Sequence, residues 1–152
     1  MKTIRNNVFE TNSSSCHSIT INRESVTQDQ NNYVIDLYAN GEYGWSGPDV
    51  CTPVDLLDYA CVAFSMIVNN AKEFDKTLKN VIKYFKTRGV IINKKFKYGK
   101  GYWGSVDGYI DHQSDPFEDD DCGEIAKMFY DPKKLYNFVF GNSCIELDND
   151  NH

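Results

Sequence analysis

The sequence predicts an α+β fold, with residues 1–152 forming a single domain in which two central amphipathic helices pack on a mostly antiparallel sheet and short helices follow towards the C-terminus. Two observations lead to this prediction. Short segments with strand-like alternation lie near both ends of the chain, and two longer segments with helical periodicity occupy its middle. A third is size, because a chain of 152 residues with 41% hydrophobic and 25% charged residues can bury one core without a disulfide or a metal.

Strands are predicted first at the N-terminus. Residues 3–9 and 17–22 are expected to pair as a hairpin through a polar loop, because Ile19 and Ile21 alternate with polar residues. Further strands are expected at 33–38, at 90–92 and at 143–147. The acidic tail, residues 148–152, is expected to be disordered.

The first helix is predicted to begin after Thr52, which can cap it, with Pro53 in the first turn and Asp55 placed to complete the cap. Apolar residues recur at helical spacing up to residue 68. The pair Asn69 and Asn70 is expected to end or kink the helix.

The second helix is predicted over residues 71–87, with Gly89 as its C-terminal cap. Its apolar residues form one stripe, and five lysines fall within about 80° on the opposite face at 100° per residue. These lysines are Lys72, Lys76, Lys79, Lys83 and Lys86. Shorter helices are expected at 124–130 and, capped by Asp131, up to residue 140.

The five cysteines are odd in number and widely spaced, with no C-x-x-C pair. A structural zinc site and a secreted disulfide framework usually show closer or even-numbered patterns. The N-terminus has no signal-peptide pattern. The sequence therefore predicts free thiols in a reducing cytoplasm.

The net charge of −6 conceals an uneven distribution. Residues 71–100 hold ten basic and two acidic residues, a local +8, so the rest of the chain carries six basic and twenty acidic residues, a local −14. This asymmetry predicts a polarised surface and argues against uniform, non-specific binding of nucleic acid. No run approaches the 18 apolar residues of a membrane span, so no membrane association is predicted.

A candidate polar site combines two histidine-containing segments. His17 ends a run of hydroxyl and amide residues, and His112 lies in the segment from Asp111 to Ser114. His112, oriented by Asp111, is suited to act as general base for a nucleophile from the first loop, which can be Ser14, Ser15 or Cys16. The residues proposed to carry this chemistry are Ser14, Ser15, His17, Asp111 and His112.

The same groups also suit a metal, held by His17, His112 and Asp111. Both ideas require the two segments to meet, and the sequence names no cofactor. A purely structural interpretation competes with them, because Asn and Ser side chains commonly bond the local backbone in turns.

Binding surfaces are predicted at two further places. The lysine stripe, with Lys76, Lys79 and Lys83 at its centre, suits phosphates or an acidic partner, although the solvated face of an ordinary amphipathic helix looks the same. Trp103 in a glycine-rich aromatic stretch is suited to stack on a ring. Asn12, Ser13, Gln113 and Ser114 complete the set of predicted binding residues.

The segment from Arg5 to Ser18, RNNVFETNSSSCHS, resembles the start of a family of small uncharacterised proteins from phages and other mobile elements of bacteria. The family pattern is a Phe-Glu-Thr-Asn-Ser-Ser-Ser stretch followed by a His-Ser pair. Residues 111–114 and 131–145 are similar to it as well. Where the family has Thr this chain has Cys16, which weakens the case for a nucleophile there. The resemblance implies a bacterial cytoplasm and a phage-like origin, and it brings no known activity.

Two hypotheses of function follow. The first is a small acidic accessory protein that binds a host macromolecule through a charged surface, with a host protein as partner and a specific nucleic acid or nucleotide as the alternative. Reversing the charge of the lysine stripe or of Asp119 to Asp121 is then expected to abolish binding. The second is a hydrolase or transferase whose site joins the Ser-rich loop to His112. Replacing His17 or His112 distinguishes the two.

Overall fold

The computed structural model describes residues 3–6, 16–22, 24–43, 49–101, 105–110 and 121–148. Seven strands lie in these residues, namely β1 (Thr3–Asn6), β2 (Cys16–Asn22), β3 (Tyr33–Leu37), β4 (Glu42–Tyr43), β5 (Val90–Lys94), β6 (Tyr109–Ile110) and β7 (Cys144–Asp148). The helices are α1 (Pro53–Ile67), α2 (Ala71–Thr87), α3 (Asp121–Lys127) and α4 (Pro132–Phe140), with a 3-10 helix, Met128–Tyr130, after α3. The α+β class is confirmed.

The described strands form three small sheets. One is antiparallel, in the order β1-β2-β7, and it contains the predicted N-terminal hairpin. The pairs β3-β5 and β4-β6 are parallel. A mostly antiparallel sheet is therefore not confirmed. The physical reason is the connection between β3 and β5, because α1 and α2 contact these strands in a crossover that returns the chain in the same direction.

Both central helices begin at the predicted residues. The Thr52 hydroxyl accepts a hydrogen bond from the Asp55 amide at 3.2 Å, and Asn70 accepts from the amides of Lys72 and Glu73. Gly89 follows α2 with φ of +81°, and a Cβ there would collide with the Gln30 carbonyl. A glycine is therefore required both by the left-handed backbone and by this close approach.

The core centres on α1, whose residues 56–65 are all buried. This helix contacts β3, β6, α3 and α4, which explains why its sequence is apolar nearly all round. On β3 and β5, Ile35 and Ile92 face the helices, whereas Val34 and Ile91 lie exposed on the other side. Helix α2 is instead buried along one stripe, as predicted.

Some boundaries differ from the predictions. Residues 42–43, for which no strand is predicted, pair with β6. The second predicted short helix is confirmed as α4, whereas the first begins three residues earlier than predicted and ends as a 3-10 turn. Asp148 belongs to β7 rather than to the predicted tail, and residues 149–152 lie outside the described part.

Arg88 anchors the segment before β3 to the helices. Its guanidinium lies 2.5 Å from the Asp29 carboxylate, donates to the Val26 carbonyl at 2.7 Å and to the Tyr84 hydroxyl at 3.1 Å, and lies over the Tyr136 ring. The planar fork of arginine suits these separate acceptors, whereas the single ammonium of lysine does not.

Replacing Arg88 with alanine is therefore expected to lower the free energy of unfolding by about 2 kcal/mol, because charge-assisted hydrogen bonds and ring stacking are lost together. Arg88→Lys is expected to recover less than half of this loss. Urea unfolding of the three proteins measures both effects. Full stability of the lysine variant would contradict the role of the fork.

Candidate functional site: the lysine face of α2

The lysine face of α2 consists of Lys72, Lys76, Lys79, Lys83 and Lys86. All five are exposed, because the opposite stripe of the helix is buried against the core. At 1.5 Å per residue the face extends about 21 Å along the helix. The central residues Lys76, Lys79 and Lys83 lie where the sequence predicts them.

The acidic residues of α2 do not neutralise this face. Glu73 and Asp75 precede lysines of the face by three and four residues, a spacing at which helical ion pairs form. Glu73 instead accepts a hydrogen bond from the Tyr130 hydroxyl, and Asp75 lies 3.2 Å from the Nζ atom of Lys94. Within the described ranges, no ion pair involves a lysine of the face.

The positive charge of the face is thus both exposed and uncompensated by its own helix. Five ammonium groups on one side of a rigid helix create a local positive potential that falls off over about 10 Å at physiological salt. Such a surface attracts carboxylates and phosphates by charge.

Most residues of the predicted polar site, namely Ser14, Ser15, Asp111 and His112, lie outside the described part of the chain. The same is true of the predicted binding residues Asn12, Ser13, Trp103, Gln113 and Ser114. His17 lies in β2 at the register position opposite Leu147. Whether the Ser-rich loop meets the His112 segment therefore stays a prediction, as does a metal held by His17, His112 and Asp111.

A buried acid that the sequence did not single out is Asp58 on α1. Its carboxylate accepts hydrogen bonds from the Tyr43 hydroxyl at 2.7 Å and from the Gly41 amide at 3.1 Å. Burial raises the pKa of Asp58, although these bonds and those from the amides of Ala39 and Asn40 act in the opposite direction. Burial also raises the pKa of Tyr43. The group is enclosed and satisfied, which makes it structural.

Comparison with known proteins adds no assignment. No family model, no curated protein and no solved structure matches the chain. Any proposed function therefore depends on the geometry of the chain's own residues.

In the part of the chain that is described, no helix is long and apolar enough to cross a membrane.

The structure also corrects the prediction of free thiols, because Cys51 and Cys144 form a disulfide. Cys61 and Cys122 are buried and form no disulfide. The Asp49 carboxylate and the sulfurs of Cys51 and Cys144 lie within 4.8 Å of one another, the one group of potential metal ligands among the described residues. Thiols 93 residues apart give no signal of this proximity in the sequence.

Proposed function

We propose that the chain is an interaction protein, an accessory factor of phage or mobile-element type, that binds an acidic surface of a host protein through the lysine face of α2. The observation that carries the proposal is the exposed row of five lysines whose neighbouring acids, Glu73 and Asp75, bind elsewhere. An acidic partner supplies the charge that the helix itself lacks.

Charge distribution favours a protein over a nucleic acid. Outside residues 71–100 the chain carries a local −14, so a long polyanion that extends beyond the lysine face meets repulsion. A compact acidic patch about 20 Å across, which matches the length of the face, avoids this repulsion because it does not reach the acidic part of the chain. The face also contains only lysines, whereas the forked guanidinium of arginine is favoured for bidentate phosphate recognition.

The test is charge reversal at the centre of the face. A variant with Lys76→Glu, Lys79→Glu and Lys83→Glu is expected to weaken partner binding at least about tenfold, because it replaces attraction by repulsion at three positions. The matched control is Lys95→Glu, Lys97→Glu and Lys100→Glu, which changes the net charge equally at exposed positions outside α2. Cross-linking of the purified chain in host extract identifies the partner, and titration with that purified partner measures affinity.

Equal loss in the two triple variants would show that only total charge matters and would contradict a docking face. Loss on His17→Ala or His112→Ala, with the lysine variant unaffected, would transfer the function to the polar site. Anisotropy titrations with single- and double-stranded oligonucleotides provide the remaining comparison. Tight, lysine-dependent binding to them would replace the acidic protein by a nucleic acid.

A further inference from the structure

The Cys51–Cys144 pair is held together by backbone pairing as well as by its bond. Val50 and Ile145 exchange two backbone hydrogen bonds, from the Val50 amide at 2.7 Å and from the Ile145 amide at 2.9 Å. Cys51 and Cys144 are the next residues in this antiparallel register, with Cα atoms 4.4 Å apart. That separation is typical of a directly opposed pair without hydrogen bonds of its own. The two sulfurs therefore remain neighbours when the bond is broken.

Exposure separates this pair from the buried thiols. Cys51 is exposed and Cys144 is half-buried, so a dissolved thiol or disulfide can reach the pair. Cys61 is fully buried, and Cys122 is 3% exposed with its sulfur 3.0 Å from the Tyr59 hydroxyl. Exchange at a sulfur requires access for an attacking thiolate in line with the bond.

Asp49 contributes a charge beside the sulfurs. It precedes Cys51 by two residues, and its carboxylate lies within 4.8 Å of both sulfur atoms. Asp49 is itself exposed, so this carboxylate does not shield Cys51 from solvent.

We propose that Cys51–Cys144 is a site of reversible thiol–disulfide exchange with small-molecule disulfides of the glutathione class. In the oxidising direction, the thiolate of one cysteine attacks glutathione disulfide, whose S–S bond breaks and releases one glutathione thiolate. The thiolate of the other cysteine then attacks the protein sulfur of this mixed disulfide. The Cys51–Cys144 bond forms and the second glutathione thiolate leaves, so two electrons pass from the cysteines to glutathione disulfide.

The bond joins the residue before the Thr52 cap of α1 to the first residue of β7. It thus links the central helix covalently to the antiparallel sheet. The lysine face belongs to α2, so this proposal does not depend on the proposed binding function.

The experiment equilibrates the full chain in a series of ratios of reduced to oxidised glutathione, followed by alkylation and peptide mass spectrometry. We expect the peptides of Cys51 and Cys144 to become alkylated together as the buffer becomes more reducing. Cys61 and Cys122 are the internal controls and should be alkylated only after denaturation, since both are buried. Pairing that survives every reducing buffer until the chain is denatured would overturn the proposal, as would thiols that stay reduced in the most oxidising buffer.

Discussion

Replacing Phe64 with alanine is expected to lower the free energy of unfolding by about 3–5 kcal/mol, because it removes the aromatic centre of the core. The Phe64 ring is fully buried and stacks on Phe74 and Phe129, with centroids 5.3 and 4.9 Å away. It therefore joins α1 to α2 and to the 3-10 helix. Alanine leaves a cavity that three separate elements would have to fill.

Urea unfolding followed by circular dichroism measures this loss. The matched control is Met66→Ala on the same helix, where the side chain is 44% exposed and the expected loss is below about 1 kcal/mol. If the Phe64 variant does not fold, Phe64→Leu supplies a milder change with a loss of about 1–2 kcal/mol. Similar losses at Phe64 and Met66 would contradict the central place of this ring.

Replacing Asp58 with alanine is expected to cost about 3 kcal/mol, even though it removes a buried acid from an apolar helix. Asp58 is 7% exposed. Its carboxylate accepts hydrogen bonds from the Tyr43 hydroxyl and from a backbone amide of the turn before β4. In this turn Ala39 has a φ of +50°, and the amides of residues 39–41 converge on the carboxylate. Without it, the buried Tyr43 hydroxyl and the partly buried Gly41 amide lose their acceptor.

Asp58→Asn keeps the shape of the side chain but removes its titratable group. The stability of this variant should therefore depend on pH differently from that of the wild type. The pKa of Asp58 is raised above its ordinary value of 3.8, so the folded chain holds the proton more tightly than the unfolded chain. The stability that this group contributes is therefore fully present below about pH 4 and is lost as pH rises through the folded pKa. The wild type should exceed Asp58→Asn by more at about pH 3 than at pH 7.

Unfolding of the wild type and of the Asp58 variants in urea, at intervals between those pH values, provides the comparison. The control is Asp55→Asn, an exposed acid on the same helix, which should differ from the wild type by less than about 1 kcal/mol at neutral pH. A wild-type advantage over Asp58→Asn that grows with pH would contradict the raised pKa.

Local signals in the sequence were sufficient for the helices. Thr52 and Asp131 each cap the helix they were expected to cap, because capping depends on hydrogen bonds to amides only two or three residues ahead. Asn70 caps α2 in the same way, although only an end or kink of the first helix was predicted there. The lysine face follows from helical periodicity in the same way. A side chain's position around a helix is set by its number along it.

Pairing over long distances was decided by the tertiary structure. β3 and β5 are separated by both central helices, and their parallel register leaves no mark in either strand's own pattern. Asp58 was not expected in the core because its acceptor role depends on a turn 15–19 residues earlier.

Local sequence patterns were enough to predict the α+β class, the position of each main helix and the lysine face, since all of these depend on neighbours within one or two turns. Long-range packing, in contrast, directs Glu73 and Asp75 to Tyr130 and Lys94, which leaves that face uncompensated. It also brings Cys51 to Cys144 across 93 residues. The physical reason is common to both, because these contacts join segments that only the packing of the whole core brings together.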